Sequence, residues 1–100
     1  MNAVLRIGLP ELTAEDIASL AELCEEHITG YIFEKLGSKS IEEMTVTCIL
    51  EMDDDGLQLD VQIDIEQKFE TGHDLDALLD EATQNGVKWL EKQLMEMKDE

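Results

Sequence analysis

Hydrophobic and polar residues alternate without interruption from Leu57 to Phe69. The odd positions of this segment are apolar except for Gln67, and every even position is polar. A period of two places successive side chains on opposite faces of a strand, so one face packs on a core and the other meets solvent. The segment therefore predicts a central strand with one covered face.

The preceding segment, Ile41 to Met52, also alternates, and its apolar face is carried by even positions from Met44 onward. The sequence Asp-Asp-Asp-Gly at 53–56 separates the two segments and indicates an antiparallel hairpin. Two turn lengths keep the apolar faces together: a two-residue turn pairs Leu50 with Val61, and a four-residue turn pairs Leu50 with Leu59. The register of the hairpin is left open.

A helix is predicted to follow Thr13, which serves as its N-cap with Asp16 three residues later. Gly37 ends this helix after Leu36. Gly30 lies inside it at a cost of about 1 kcal/mol relative to alanine, which indicates either close packing or a kink. The apolar stripe of the helix repeats at steps of three and four and consists of Ile17, Leu20, Cys24, Ile28, Tyr31 and Ile32.

Thr71 and Asp74 repeat the pattern of a cap followed by an acid and predict a second helix near the C-terminus. Its inner stripe consists of Leu75, Leu78, Leu79, Ala82, Gly86, Trp89, Leu90 and Met97. At the other end of the chain, residues 3–9 alternate loosely and predict a short strand that Pro10 closes.

These elements predict an α+β fold with the order β-α-β-β-α. In the expected two-layer architecture, two helices pack on one face of a small antiparallel sheet. The 100 residues are enough for a single domain, spanning residues 1–100, with a core of its own.

The net charge of −18 comes from 25 acidic residues against seven lysines and arginines. Such a charge repels nucleic acid and anionic lipid, so direct binding to either is not expected, and it favours a basic protein partner. The alternative is that the acidity serves only solubility. No apolar run reaches the length of a membrane span, no secretory signal is visible, and two cysteines suit a reducing compartment, so a cytoplasmic location is expected.

No pattern typical of an active site is present. Cys24 and His27 have half the spacing of a zinc site, but the other half is missing. The acidic turn at 53–56 lacks the alternating ligands of a calcium loop. We therefore assign no catalytic, cofactor-binding or metal-binding residue, expect no cofactor, and expect the protein not to be an enzyme.

Two apolar residues lie outside the predicted core stripes and indicate a protein interface. Phe33 lies off the stripe of the first helix, where it would form a second apolar strip with Leu23 and Leu94. Ile49 is apolar on the otherwise polar face of the sheet. Carboxylates on that same face complete the candidate interface: Asp60, Asp64 and Glu66.

Packing and turn motifs give the chain a resemblance to a family of short acidic archaeal proteins of unknown function. The motifs are Ile7-Gly8-Leu9-Pro10 leading into Leu12-Thr13, then Tyr31-Ile32-Phe33-Glu34-Lys35, and then Gly56-Leu57 with its alternating strand. The resemblance covers nearly the whole chain. Genes of that family tend to lie near those of the prefoldin beta subunit and of the small subunit of KEOPS, the complex that makes threonylcarbamoyladenosine on transfer RNA.

The element order is also similar to that of the small KEOPS subunit, a dimerising scaffold, and Asn85, Trp89 and Leu90 resemble its final helix. This similarity implies a non-enzymatic accessory or adaptor subunit of an archaeal assembly, with KEOPS-like machinery as its setting. The implied partner is a protein, in a homodimer or in a heterodimer with a related small subunit. The alternative is an acidic binding protein that is chaperone-linked or mimics nucleic acid.

Overall fold

The computed structural model describes residues 2–5, 12–53, 56–70, 72 and 74–98. The predicted α+β class and element order are confirmed. A single turn of 3₁₀ helix, Ser38–Ser40, connects the first helix to the hairpin. The strands and helices are β1 (Asn2–Leu5), α1 (Ala14–Leu36), β2 (Ile41–Asp53), β3 (Gly56–Gln67) and α2 (Leu75–Lys98).

The sheet is antiparallel with the strand order β1-β3-β2, so the strand with the strongest alternation is the central one. Leu50 lies opposite Leu59, which selects the second of the two predicted registers. Pairing continues to Asp53 opposite Gly56, so one more residue pair forms than a four-residue turn allows. The connecting residues 54–55 lie outside the described part of the chain.

A bulge near the start of β2 explains how an odd-numbered residue of this strand reaches the core. Ile41 lies opposite Gln67, whereas Glu43 lies opposite Glu66, so β2 carries one extra residue at this point. The extra residue reverses the inward and outward alternation. Ile41 is therefore buried, although the core positions beyond the bulge are even-numbered.

Two predicted strand positions, Phe69 and Met52, differ in the structure, and part of a third prediction lies outside the described residues. Strand β3 ends at Gln67 rather than at Phe69, whose side chain is 56% exposed, because its partner β2 begins at Ile41, opposite Gln67. One further backbone bond, from Lys68 N–H to Ser40 O at 2.8 Å, reaches the 3₁₀ turn. Met52 is exposed rather than covered, since it lies at the end of an edge strand. The first strand is described at residues 2–5, and the rest of its predicted range, with Pro10, lies outside the described residues.

Both predicted ends of α1 are confirmed. Thr13 Oγ1 accepts a hydrogen bond from Asp16 N–H at 3.1 Å, and Asp16 Oδ2 accepts one from Thr13 N–H at 3.0 Å, which together form a capping box. Gly37 follows the helix with a φ of 80°, and its N–H donates to Phe33 O at 2.8 Å. This φ strains any residue with a Cβ, so glycine suits the position.

The second helix begins at Leu75, and its cap differs from the predicted pattern. Asp74 directly precedes the helix, and its Oδ1 accepts a hydrogen bond from Ala77 N–H at 3.3 Å. Asp74 therefore caps the helix itself rather than serving as the acid after a Thr71 cap; Thr71 lies outside the described residues. Among the described residues, neither helix is long and apolar enough to cross a membrane.

The core forms where α1 packs against the sheet and α2 packs against α1. A Cβ built at Gly86 would lie 2.7 Å from Ile28 Cγ1, so the two helices are in close contact at this glycine. The close packing considered for Gly30 is therefore wrong, because a Cβ there meets nothing within 4 Å. The largest fully buried side chains among the described residues are Cys24, Ile28, Ile32, Leu57, Leu59, Leu90 and Leu94.

Candidate functional site

The face of the sheet that points away from the helices carries Ile49 among polar residues. Ile49 lies opposite Asp60, and the next outward pair along the strands is Glu51 opposite Gln58. These four residues line a shallow depression of about 250 Å³. Ile49 is 42% exposed because Cys48 and Leu50, its neighbours in sequence, take the inward positions. The depression therefore combines one exposed apolar side chain with the carboxylates of Glu51 and Asp60.

A second depression of about 420 Å³ lies further along the same hairpin and is more strongly acidic. Thr45 lies opposite Asp64, and Glu43 lies opposite Glu66. Like charges directly opposite each other on paired strands are unfavourable, so the Glu43–Glu66 pair carries a local electrostatic cost. We call the outward side of β2 and β3 the open sheet face. The residues that line its two depressions are Glu43, Thr45, Ile49, Glu51, Gln58, Asp60, Asp64, Ile65 and Glu66.

Phe33 is not part of the open sheet face. It lies on the solvent side of α1, 37% exposed, in the helical layer that covers the opposite face of the sheet. Leu23 is exposed on the same helix, but Leu94, predicted to extend this strip, is fully buried. Leu94 follows Leu90 by four residues and thus faces the core with it. Four of the five predicted interface residues therefore share one face, and Phe33 stands apart.

A groove between the two helices was not predicted from the sequence. Beside it, the ring of His27 on α1 stacks on that of Trp89 on α2, with centroids 5.6 Å apart and an interplanar angle of 19°. Nearby, the Tyr31 hydroxyl donates to Glu81 Oε2 at 3.3 Å. The groove has a volume of about 430 Å³ and is lined by Glu26, His27, Gly30, Tyr31, Glu34 and Asn85. We call it the interhelical groove; its only signal in the sequence is Gly30 beside Tyr31.

The two cysteines lie inside the core as a pair of free thiols. Both are free and buried, and Cys24 Sγ lies 3.9 Å from the carbonyl oxygen of Gly86. The hydrogen bond between the thiols, together with burial, raises the pKa of Cys48, and the same hydrogen bond lowers the pKa of Cys24. Among the described residues, no three His, Cys, Asp or Glu side chains are grouped to hold a metal ion.

Residues 9–93 match the family described as "Protein of unknown function (DUF3194)". An uncharacterised protein of Thermococcus kodakarensis is 30% identical over 97 residues, which cover 97% of this chain and 89% of that protein. An uncharacterised protein of Pyrococcus horikoshii is 28% identical over 97 residues, which cover 97% of this chain and 83% of that protein.

Two solved structures share the fold. A crystal structure from Thermococcus onnurineus superposes with a TM-score of 0.72 at 29% identity, covering 99% of this chain and 95% of that one. The solution structure of a hypothetical protein from Methanothermobacter thermautotrophicus gives a TM-score of 0.74, covering 92% of this chain and 99% of that one. The identity to the second is 22%, so that likeness concerns the fold alone.

Proposed function

The chain belongs to the DUF3194 family of archaeal proteins, and from this premise we propose that it is a non-enzymatic accessory or adaptor subunit of an archaeal protein assembly. The observation that carries the proposal is the exposed Ile49 beside Asp60 on an acidic face that neither α1 nor α2 covers. Protein interfaces concentrate their binding energy in a few apolar anchors surrounded by a polar rim. The open sheet face has this composition.

The charges of the open sheet face favour a basic partner. Glu43 opposes Glu66 across the strands, and Asp64 lines the same depression. Lysine or arginine side chains of a partner would relieve the repulsion between these carboxylates and steer the encounter. A second copy of this acidic chain would increase the repulsion instead. The proposed partner is therefore a different, basic protein rather than a homodimer mate on this face.

More specifically, we propose that the assembly is a KEOPS-like machinery for transfer RNA modification. The order of elements supports it, since strand, helix, two strands and helix is also the order of the small KEOPS subunit that the sequence resembles. The alternative function is that of an acidic binder that is chaperone-linked or mimics nucleic acid. The rows of carboxylates on the open sheet face support this alternative, and the same experiment separates the two.

The test begins with capture of partners from an archaeal lysate and proceeds to titration calorimetry with the purified partner. We expect Ile49→Glu to weaken binding by at least about 2 kcal/mol, because it places a charge in the desolvated centre. Phe33→Glu is the matched control, with the same new charge in the helical layer, and should bind like the wild type. Circular dichroism checks both folds. Unchanged binding by Ile49→Glu would reject the proposal.

A second set of variants tests the acidic-binder alternative. Neutralising Asp60, Asp64 and Glu66 together removes three charges from the open sheet face. The control neutralises three exposed carboxylates elsewhere, Glu22, Glu70 and Glu96, and so has the same net charge. If only the first triple variant loses binding and Ile49→Glu retains it, the protein is an electrostatic binder rather than an anchored subunit. Salt dependence that flattens only in the first triple variant would agree with that result.

A further inference from the structure

Gly30 has no structural reason to be glycine. It lies inside α1, its φ is not positive, and a Cβ at this position would meet no described atom within 4 Å beyond its neighbours in the helix. Glycine in a helix interior is less favourable than alanine, so the helix loses stability here without any gain in packing. Gly86 is different, because a Cβ there would collide with Ile28. What the missing side chain at Gly30 does provide is open space in the interhelical groove.

The groove has the charge and shape for an organic cation. Its volume of about 430 Å³ falls within the range of small-ligand sites. The carboxylates of Glu26 and Glu34 line it, one helical turn on either side of Gly30, and Glu81 lies at the Tyr31 hydroxyl. A ligand that enters beside Gly30 thus meets two carboxylates of α1, with the carboxylate of Glu81 on α2 nearby.

Aromatic rings give the groove a second property that suits a cation. Tyr31 lines the groove, and its ring attracts cations: Lys35 Nζ lies 5.5 Å from the ring centroid, so an incoming cation displaces Lys35 or stacks on the other face. His27 lines the same groove and is held flat against Trp89. Ring faces attract cations, and planar guanidinium groups stack on them while donating paired hydrogen bonds to carboxylates. An ammonium group lacks both the plane and the paired donors.

We propose that the interhelical groove binds the guanidinium group of an arginine side chain presented by a partner protein. The guanidinium group lies beside Gly30, stacks on an aromatic ring of the groove and is bound by the carboxylates of Glu26 and Glu34. The inference rests on the proposed function only in taking the ligand to be a protein. The groove lies in the helical layer, so its binding is independent of Ile49 and the open sheet face.

The test is an NMR titration of the ¹⁵N-labelled full chain with N-acetyl-arginine amide, which presents one guanidinium group on an arginine stem. We expect saturable shift changes at the Gly30 amide and the Trp89 indole. N-acetyl-lysine amide, with equal charge, should bind more weakly, because an ammonium group makes fewer paired hydrogen bonds. Equal binding of the two compounds, or shifts spread evenly over the acidic surface, would overturn the proposal.

Matched variants locate the site and separate it from the general acidity of the protein. Glu34→Gln should weaken binding of N-acetyl-arginine amide by about tenfold through loss of a charge-assisted hydrogen bond. Glu22→Gln removes the same charge from the same helix outside the groove and should leave binding unchanged. Equal effects of the two variants would show that only net charge matters and would reject the site.

A second pair of variants tests the space at Gly30. Gly30→Gln should abolish binding by filling the groove while raising the melting temperature, because glutamine is a better helix former. Ser19→Gln is the matched control, at an exposed position of α1 outside the groove, and should bind normally. Binding that survives in Gly30→Gln would contradict the proposal. Because this variant is expected to gain stability, a loss of binding cannot be attributed to unfolding.

The last comparison concerns the source of the guanidinium group. Methylguanidine carries the same group without the stem or the flanking amides of a peptide. If it binds as tightly as N-acetyl-arginine amide, the ligand is a free guanidinium compound, and a partner arginine is rejected. Tighter binding of the amide supports the partner. None of these titrations uses the partner of the open sheet face, so a failure here leaves that proposal standing, and the reverse also holds.

Discussion

Two glycines within helices, Gly86 and Gly30, have opposite structural roles in this chain. Gly86 is buried, and its missing side chain lets α2 approach α1, with Ile28 atoms 2.7 and 2.8 Å from where a Cβ would lie. Gly30 is exposed, and its missing side chain leaves the interhelical groove open. The surroundings of each glycine therefore decide whether an added methyl group lowers or raises the free energy of unfolding.

We expect the same substitution to have opposite signs at these two positions. Gly86→Ala should lower the free energy of unfolding by about 1–3 kcal/mol, because the methyl group overpacks against Ile28. Gly30→Ala should raise it by up to about 1 kcal/mol, since helix propensity improves and nothing is displaced. Urea titration followed by circular dichroism measures both. Two changes of the same sign would contradict the assigned helix contacts.

At the scale of elements, burial along β3 decreases from one end to the other. Leu57 and Leu59 are fully buried, and Val61 is 3% exposed, whereas Ile63 and Ile65 are only half-buried. Strand β1 pairs with residues 57–60 alone, so the described sheet has three strands at this end and only the two-stranded hairpin beyond it. Strand β1 thus lies at the end of the sheet where the core residues of β3 are most buried.

We expect alanine substitutions along β3 to lower the free energy of unfolding by amounts that follow this gradient in burial. Leu59→Ala should cost about 3–5 kcal/mol through lost burial and the cavity left behind. Ile63→Ala should cost clearly less, because its side chain is partly solvated in the folded state. Gln62→Ala, on the outward face, should stay within about 0.5 kcal/mol and serves as the control. Equal costs at Leu59 and Ile63 in a denaturant titration would refute the gradient.

The sequence was sufficient for features that depend on neighbouring residues. The capping box at Thr13, the glycine after Leu36 and the inward parity of the hairpin all follow from residue types at short spacings. Features that depend on a distant element were missed. Leu94 was placed on a surface strip because its burial depends on how α2 docks, and Gly86 gave no sign that Ile28 would face it.

In the candidate site too, features that depend on neighbouring residues were predictable and features that depend on distant elements were not. Alternation correctly put Ile49 and three carboxylates on one face, because parity along a strand is a local property. Their separation from Phe33 was not predicted, since it depends on which face of the sheet the helices cover. The interhelical groove was missed for the same reason. Its lining comes from α1 and from Asn85 of α2, which are far apart in sequence.

At the scale of the whole molecule, the net charge and the narrow shape together bring many carboxylates close enough to repel one another. The protein measures 45 × 21 × 19 Å and carries a net charge of −18. Every point on so narrow a body lies within about one or two Debye lengths of many carboxylates at moderate salt. Mutual repulsion among them opposes the compact state. Screening this repulsion should therefore stabilise the fold.

We expect potassium chloride to raise the melting temperature most steeply at low concentration. The Debye length falls from about 30 Å at 0.01 M to about 10 Å at 0.1 M, so most of the screening occurs over this range. Sucrose at matched osmolality stabilises by exclusion from the protein surface and should give a shallow, steady rise instead. A melting temperature that is indifferent to salt over this range would show that the carboxylates do not repel one another appreciably.

The carboxylate of Glu25 affects whether copies of the protein can associate edge to edge through β2. Glu25 Oε1 accepts the N–H of Cys48 at 2.9 Å, on β2, which forms an edge of the sheet. A bare strand edge is a template on which further chains can polymerise into fibrils. A strand arriving at this edge would first have to displace a side chain anchored on α1. Lateral growth from the middle of β2 is thereby disfavoured, because one donor of this edge is already paired with a side chain of α1.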